Sequence, residues 1–226
     1  MVTEKAYPHK HLINYSHVAK GLWYPGTATK SCAASYRWYR DTFGDDYKKL
    51  DAGAQNIAPG CNGLLFHPYL NGELTPYADP LLRGSFTGIT SGHTKAHFSR
   101  AVLEGVAFSL LDCKTALEEI GLPHKNNAVL IGGGASSRLW RQITADVLGI
   151  TLTQNETADS SFGSAMLAGI AAGVFSDTHD AARKCVKQIN IAEPDPDNTK
   201  KYAEIFPLYK KTHDALAPVY HKMSNQ

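Results

Sequence analysis

Ala128-Val129-Leu130-Ile131-Gly132-Gly133-Gly134-Ala135-Ser136-Ser137-Arg138-Leu139-Trp140 is the stretch that decides how this chain reads. Four apolar residues predict a short strand, three glycines a tight turn, and Ser137 the opening of a helix. Such a connection turns bare backbone N–H groups and the positive end of a helix toward whatever lies beyond it. The turn carries no side chains, so a flat or phosphorylated ligand can approach the main chain closely. A tight strand-to-helix connection with no ligand is the plainer alternative.

Downstream of the turn, Trp140, Ile143, Val147 and Leu148 form one apolar face, and Gly149 closes the helix. Residues 150–153 read as a further strand. Residues 160–173 read as a helix crowded with small side chains, which suits close helix packing or a ligand ring. Residues 177–188 predict another helix. Pro194-Asp195-Pro196-Asp197 is a turn with Asp197 or Asn198 as cap, and a last helix over 199–223 is expected to break near Pro207 and Pro218. Upstream, the clearest helix covers residues 94–120. There Val102, Val106, Leu110, Cys113, Leu117 and Ile120 recur at three-to-four spacing, between a Thr94 cap and Gly121 with Pro123. At 1.5 Å per residue it spans roughly 40 Å. Residues 60–89 are turn-rich, with strands at 64–66 and 85–89. A strand over 10–16, a turn at Tyr24-Pro25-Gly26 and a helix over 29–43 complete the reading. The alternation of strand and helix predicts an α/β domain.

The 226 residues, 43% hydrophobic with a formal net charge of +2, allow one large domain or a domain with appendages. No basic block argues for nucleic acid, and Lys200-Lys201 and Lys210-Lys211 fit a solvated helix face. Cys32, Cys61, Cys113 and Cys185 are widely spaced with no C-x-x-C pair. They read as buried thiols in a reducing compartment. The polar start of the chain and the absence of a long apolar run predict a cytoplasmic protein without a membrane span.

Several chemistries find no support. The phosphate loop G-x-x-x-x-G-K-[ST] is absent, and Ser136 and Ser137 stand where a dinucleotide fingerprint would need glycine. There is no G-x-S-x-G elbow. His9 with His11, and His93 with His97, have spacings that metals use, yet no third ligand stands near either pair. Polar terminal and helix-start roles suit them better. Asp146 reads as a surface carboxylate or a helix-packing acceptor. Glu104 reads as exposed or as reaching a buried partner.

Several segments agree on one resemblance. Gly84-Ser85-Phe86-Thr87-Gly88-Ile89 followed by His97-Phe98-Ser99-Arg100-Ala101-Val102-Leu103-Glu104 fits the second signature of the FGGY carbohydrate kinases. The turn at Gly132-Gly133-Gly134-Ala135, with Leu139-Trp140-Arg141-Gln142 and Ala145-Asp146, is similar to that family's adenosine-binding element. Glu156 with Gly163-Ser164-Ala165 resembles the element that closes the other side of its nucleotide pocket. Trp23 and Trp38-Tyr39-Arg40-Asp41 resemble the opening of the second domain in the xylulokinase branch. One departure is Leu74 in Gly72-Glu73-Leu74-Thr75-Pro76, where that branch carries arginine; leucine cannot supply its charge.

The resemblance implies one lobe of an actin-like, ribonuclease-H-like ATPase fold, an α/β lobe with a mixed sheet flanked by helices. Residues 1–226 would be the C-terminal nucleotide-binding domain, with a lead-in strand and helix over 1–60, a core over 61–190 and a C-terminal helix over 191–226. ATP and Mg²⁺ are the implied cofactors. Gly132, Gly133, Gly134, Ala135, Ser136, Ser137 and Arg138 are the implied nucleotide contacts, with Arg138 stacking on or flanking the base. A solvent-facing place in the first helical turn is the alternative for Arg138. The catalytic aspartate and the sugar contacts are expected on an N-terminal lobe, so no catalytic residue and no metal ligand is assigned here. The implied reaction is phosphorylation of a sugar hydroxyl, D-xylulose foremost, with the chain alone inactive. The alternatives are a ribulose, gluconate or glycerol kinase lobe, or a non-catalytic nucleotide-binding or assembly module. Implied partners are ATP and a sugar reached through the other lobe, with a homodimer as one option, and neither nucleic acid nor membrane.

Overall fold

A computed structural model describes residues 2–10, 12–157 and 159–224. His11, and with it the His9–His11 pair, lies outside the described residues. Strands β1 (Ile13–Ser16) and β2 (Trp23–Gly26) pair antiparallel. The expected turn at Tyr24-Pro25-Gly26 is therefore a strand. Trp23 exchanges both main-chain hydrogen bonds with Thr3 on its outer edge, at 3.0 and 2.8 Å. Pro25, two residues on, faces that same edge, where its missing N–H costs no ladder bond.

Helix α1 (Cys32–Phe43) leads into α2 (Tyr47–Gln55), an element the sequence reading does not contain. Its start is set by Asp46, whose side chain accepts the Lys49 N–H at 2.9 Å. Only Leu50 and Ala54 of α2 are buried, too few to give a readable period. Strands β3 (Leu65–His67) and β4 (Ser85–Thr87) form a second antiparallel pair. Helix α3 (Lys95–Glu119) runs as its period predicts, from the Thr94 cap. His97 Nδ1 accepts the Thr94 N–H at 3.2 Å, and His93 Nδ1 accepts that of Thr90 at 2.9 Å. Both imidazoles thus serve the entry to the helix.

The glycine stretch lies between β5 (Asn127–Val129) and α4 (Arg138–Leu148). Strand β6 (Thr151–Asn155) pairs parallel with β5 and antiparallel with β7 (Gln188–Ala192), giving a three-stranded mixed sheet. Helices α5 (Ser160–Ala171) and α6 (Thr178–Cys185) intervene. The helix expected over 177–188 stops at Cys185, because Val186 turns extended and Gln188-Ile189-Asn190-Ile191 alternates with the period of a strand. Helix α7 (Pro196–Ser224) is continuous through Pro207 and Pro218. Both prolines lie on its exposed side, where a helix can bend toward solvent and lose a single hydrogen bond. Its start is held by Asp195, whose side chain accepts the N–H groups of Asp197 and Asn198 at 3.0 and 2.9 Å. Asp195 is the cap that the sequence reading gave to its neighbours.

The main core gathers aromatic and aliphatic side chains of α1, α3, α4 and α7, with Phe66 of β3. Helix α3 rides directly on β3: a Cβ added at Gly105 would lie 2.1 Å from the Phe66 carbonyl oxygen. Buried Glu104 accepts from Arg100 Nε (2.7 Å), the Tyr202 hydroxyl (2.7 Å) and the Gly60 N–H. It thereby ties α3 to α7 and to the loop after α2. Asp146 is buried as well. It accepts from the Asp195 N–H (2.8 Å), Asn198 Nδ2 (3.0 Å) and Gln142 Nε2 (2.8 Å), which docks the start of α7 on α4. The four cysteines are free, Cys61 and Cys113 buried and Cys32 and Cys185 half-buried. Among the described residues no helix is long and apolar enough to cross a membrane.

Candidate nucleotide site

A cavity of about 470 Å³ opens beside the glycine turn. The turn supplies Gly133, Gly134, Ser136 and Ser137. Helix α1 supplies Ala33, Ala34, Tyr36 and Arg37, α2 supplies Tyr47, Lys48 and Asp51, and α4 supplies Trp140. The volume suits a nucleoside-sized ligand.

The local sequence explains this shape. Gly132 has φ +90°, a left-handed conformation that the chain needs to leave β5. The Ala135 N–H returns to the Gly132 carbonyl at 3.0 Å, closing a short 3₁₀ turn. At Gly133 an added Cβ would meet no atom within 4 Å, so its backbone borders open space. At Gly134 an added Cβ would meet Cζ3 of Trp140 at 3.0 Å, so that indole packs on bare main chain. Trp140 is held from the other end by its Nε1–H, which donates to the Leu103 carbonyl at 3.1 Å.

Ser137 is the cap of α4. Its Oγ accepts the Trp140 N–H (3.1 Å) and its hydroxyl donates to Asp51 Oδ2 (2.6 Å). The Tyr36 hydroxyl donates to Asp51 Oδ1 at 2.7 Å. Burial, and then the neighbouring Asp51 carboxylate, push the Tyr36 phenol far above its ordinary range, so it stays a donor. The Tyr36 ring meets Tyr47 at 5.4 Å and Trp140 edge-on at 5.7 Å between centroids. The lining is therefore largely aromatic and apolar, and it includes two exposed cations, Arg37 and Lys48. Such a cavity can take a flat ring against its walls and an anionic group near those cations.

Of the seven residues named from the sequence, Gly133, Gly134, Ser136 and Ser137 line the cavity. Gly132 shapes the turn behind it. Ala135 is buried beneath, and Arg138 is exposed; neither is a lining residue. Glu156 and residues 163–165 do not line it either. Gly163 borders a smaller pocket with Val18, Met166, Leu167 and Ile170. The second wall comes instead from α1, read from the sequence as a helix but given no part in the site, and from α2, which the sequence reading missed. The apolar-and-tyrosine start of α1 (Ala33, Ala34, Tyr36) was its only signal.

Residues 2–172 match the C-terminal domain of the FGGY family of carbohydrate kinases. The chain belongs to that family. This FGGY domain is 33% identical to xylulose kinase of Lactococcus lactis subsp. lactis over 216 residues, 92% of this chain and 42% of that protein. A gluconokinase of Bacillus licheniformis is 32% identical over 215 residues, 90% of this chain and 42% of the relative. The crystal structure of ligand-bound xylulose kinase from Lactobacillus acidophilus superposes with a TM-score of 0.88 at 28% identity, covering 98% of this chain and 46% of the other. The FGGY domain thus spans about 42% of the length of these curated relatives. Its fold is the actin-like, ribonuclease-H-like lobe, with the mixed sheet β5–β6–β7 and flanking helices.

The FGGY signature residues serve packing in this chain. A Cβ at Gly88, where φ is +81°, would lie 2.3 Å from the Gly63 carbonyl oxygen. Glu104, the closing acid of the signature, is the buried acceptor described above. Leu74 is exposed, whereas Glu73 beside it is buried and accepts from the N–H groups of Lys30 and Leu74 and from the Ser109 hydroxyl.

Proposed function

We propose that this chain is the nucleotide-binding lobe of an ATP-dependent kinase that phosphorylates a sugar hydroxyl, with D-xylulose as the favoured substrate. The cavity at the glycine turn carries the reading. Its walls suit a purine, and Gly133 and Gly134 offer it main chain with no Cβ in the way. The hydroxyls of Ser136 and Ser137 add polar contacts, and Arg37 and Lys48 place positive charge where phosphates would emerge. Gly132, Ala135 and Arg138 complete the proposed nucleotide set through the shape of the turn and its flank.

Mg²⁺ would come with the triphosphate and offset its charge. No residue of this chain is assigned to it. By this reading the hydroxyl-activating carboxylate and the sugar contacts lie on an N-terminal lobe. The free cysteines fit a reducing compartment, and we place the protein in the cytoplasm. Phosphorylation of gluconate is the second reading, favoured by the 32% identity to a gluconokinase.

The test is a coupled ADP-release assay on residues 1–226 with MgATP and D-xylulose, D-gluconate, D-ribulose or glycerol, beside equilibrium dialysis with ATP. The expected result is one ATP bound per chain and no sugar-dependent turnover. Robust phosphorylation by 1–226 would overturn the lobe assignment, and absence of ATP binding would overturn the nucleotide site.

A further inference from the structure

Three walls of the cavity meet at one carboxylate. Asp51 projects from α2 and is the one acidic side chain among the described lining residues. One of its oxygens takes the Tyr36 hydroxyl of α1 at 2.7 Å, and the other takes the Ser137 hydroxyl at 2.6 Å. Ser137 in turn receives the Trp140 N–H, so the chain of bonds runs Tyr36–Asp51–Ser137–Trp140. Each partner is committed. The Tyr36 phenol stays protonated, and the Ser137 hydroxyl is used once as donor and once as acceptor.

The arrangement needs two acceptor oxygens on one residue. Asparagine offers one, and its amide N–H₂ could bond the other hydroxyl only if that hydroxyl turned from donor to acceptor. The turn is held from below by buried Ala135 and by Trp140 against Gly134, while Gly132 and Gly133 meet nothing within 4 Å of an added Cβ and Ile131 before them is exposed. Segments with few packed contacts open locally at low cost. Without Asp51, the start of α4 would lose its hydrogen-bonded tie to α1 and keep only the edge-on contact of Trp140 with Tyr36, while Trp140 stayed anchored at Leu103.

We propose that Asp51 is a positioning residue that clamps the Ser137 end of the glycine turn to α1 and so fixes the width of the nucleotide cavity. The proposal rests on the nucleotide reading of that cavity. It does not place Asp51 in contact with ATP.

The test compares the parent chain with Asp51→Asn, Asp51→Glu, Ser137→Ala, the Asp51→Asn/Ser137→Ala double variant and the remote Leu152→Ala. Two quantities are read: ATP affinity by titration calorimetry, and amide hydrogen exchange at residues 136–140. Asp51→Asn is expected to weaken ATP binding by roughly tenfold or more, the scale of one lost hydrogen bond to a charged group. It is also expected to speed exchange at the Trp140 N–H. The double variant should be little worse than either single one, because both remove the same link. Asp51→Glu should recover part of the affinity, and Leu152→Ala should lower stability without changing affinity. Parent-like exchange in Asp51→Asn, or additive effects in the double variant, would overturn the clamp. An ATP effect from Leu152→Ala as large as that from Asp51→Asn would also overturn it, since general destabilisation would then suffice. Failure of the parent to bind ATP would instead overturn the nucleotide reading, and the exchange data would still decide whether the clamp exists.

Discussion

The helical half of the molecule and its sheet half are built to different densities. In the first, α1, α3, α4 and α7 bury Tyr36, Tyr39, Phe108, Tyr202 and Tyr209 in one continuous core. In the second, Ala145, Ile150, Leu152 and Ala192 form a separate cluster of four buried residues beneath β5–β7. Helix α5 buries none of its residues although its sequence is largely apolar. The glycine turn lies on the boundary. It leaves the thin half through β5, and α4 then carries Trp140 and Ile143 into the dense half. The contrast shows how the cavity is made: one wall is immobilised by a packed core, while the facing turn depends on a few polar links and on bare backbone.

Removing Glu104 should break this contrast most severely. Glu104→Ala leaves Arg100 buried without its partner and cuts the tie to Tyr202, a loss of about 3–5 kcal/mol. Urea denaturation should show it as a lower midpoint, and a near-parent midpoint would contradict the central place given to that network. A cavity in the thin half should cost less. Leu152→Ala is expected near 2–3 kcal/mol, at the low end for a buried leucine because its cluster is small and edged by half-buried residues that can close on the cavity.

The dense half should also be the acid-sensitive one. Burial holds the His67 imidazole down at about 4, and it lowers His213 as well. The unfolded chain, with histidines near their ordinary 6.5, therefore binds more protons than the folded one between about pH 6.5 and pH 4. Stability should fall as pH drops through that window, by on the order of 2–3 kcal/mol for His67. Urea midpoints at pH 7 and pH 4.5 measure the slope, and His67→Phe should flatten it. A midpoint independent of pH over this range would show that these imidazoles are not buried neutral. The smallest effect belongs to α5. Leu167→Ala should change stability by less than about 0.5 kcal/mol, because the side chain is 39% exposed. A loss above about 2 kcal/mol would mean that the thin half packs more tightly than described.

How much of this the sequence disclosed follows the same divide between local and distant interactions. Helix α3 was legible because its apolar residues repeat along one segment, and Thr94 marks its start. The glycine turn was legible because glycine accepts the positive φ that such a turn needs, and a capping serine follows. The second wall was not. Tyr36 and Asp51 stand 101 and 86 positions before Ser137, and nothing periodic announces that they meet it. Helix α2 and strand β7 were missed because each is short and carries few buried residues. The prolines of α7 were over-read: each removes one hydrogen bond on a solvent-facing side, too little to break a helix anchored by Tyr202, Tyr209 and Tyr220.

The most direct measurement is titration of the chain with MgATP by calorimetry, parent against Gly134→Asp. The substitution puts a Cβ 3.0 Å from Cζ3 of Trp140 and adds a negative charge at a lining position of the cavity, where it would crowd the turn and repel phosphate. The account predicts single-site binding by the parent and a loss of at least tenfold in the variant, with both folded by circular dichroism. Equal affinity in the two folded proteins would contradict it.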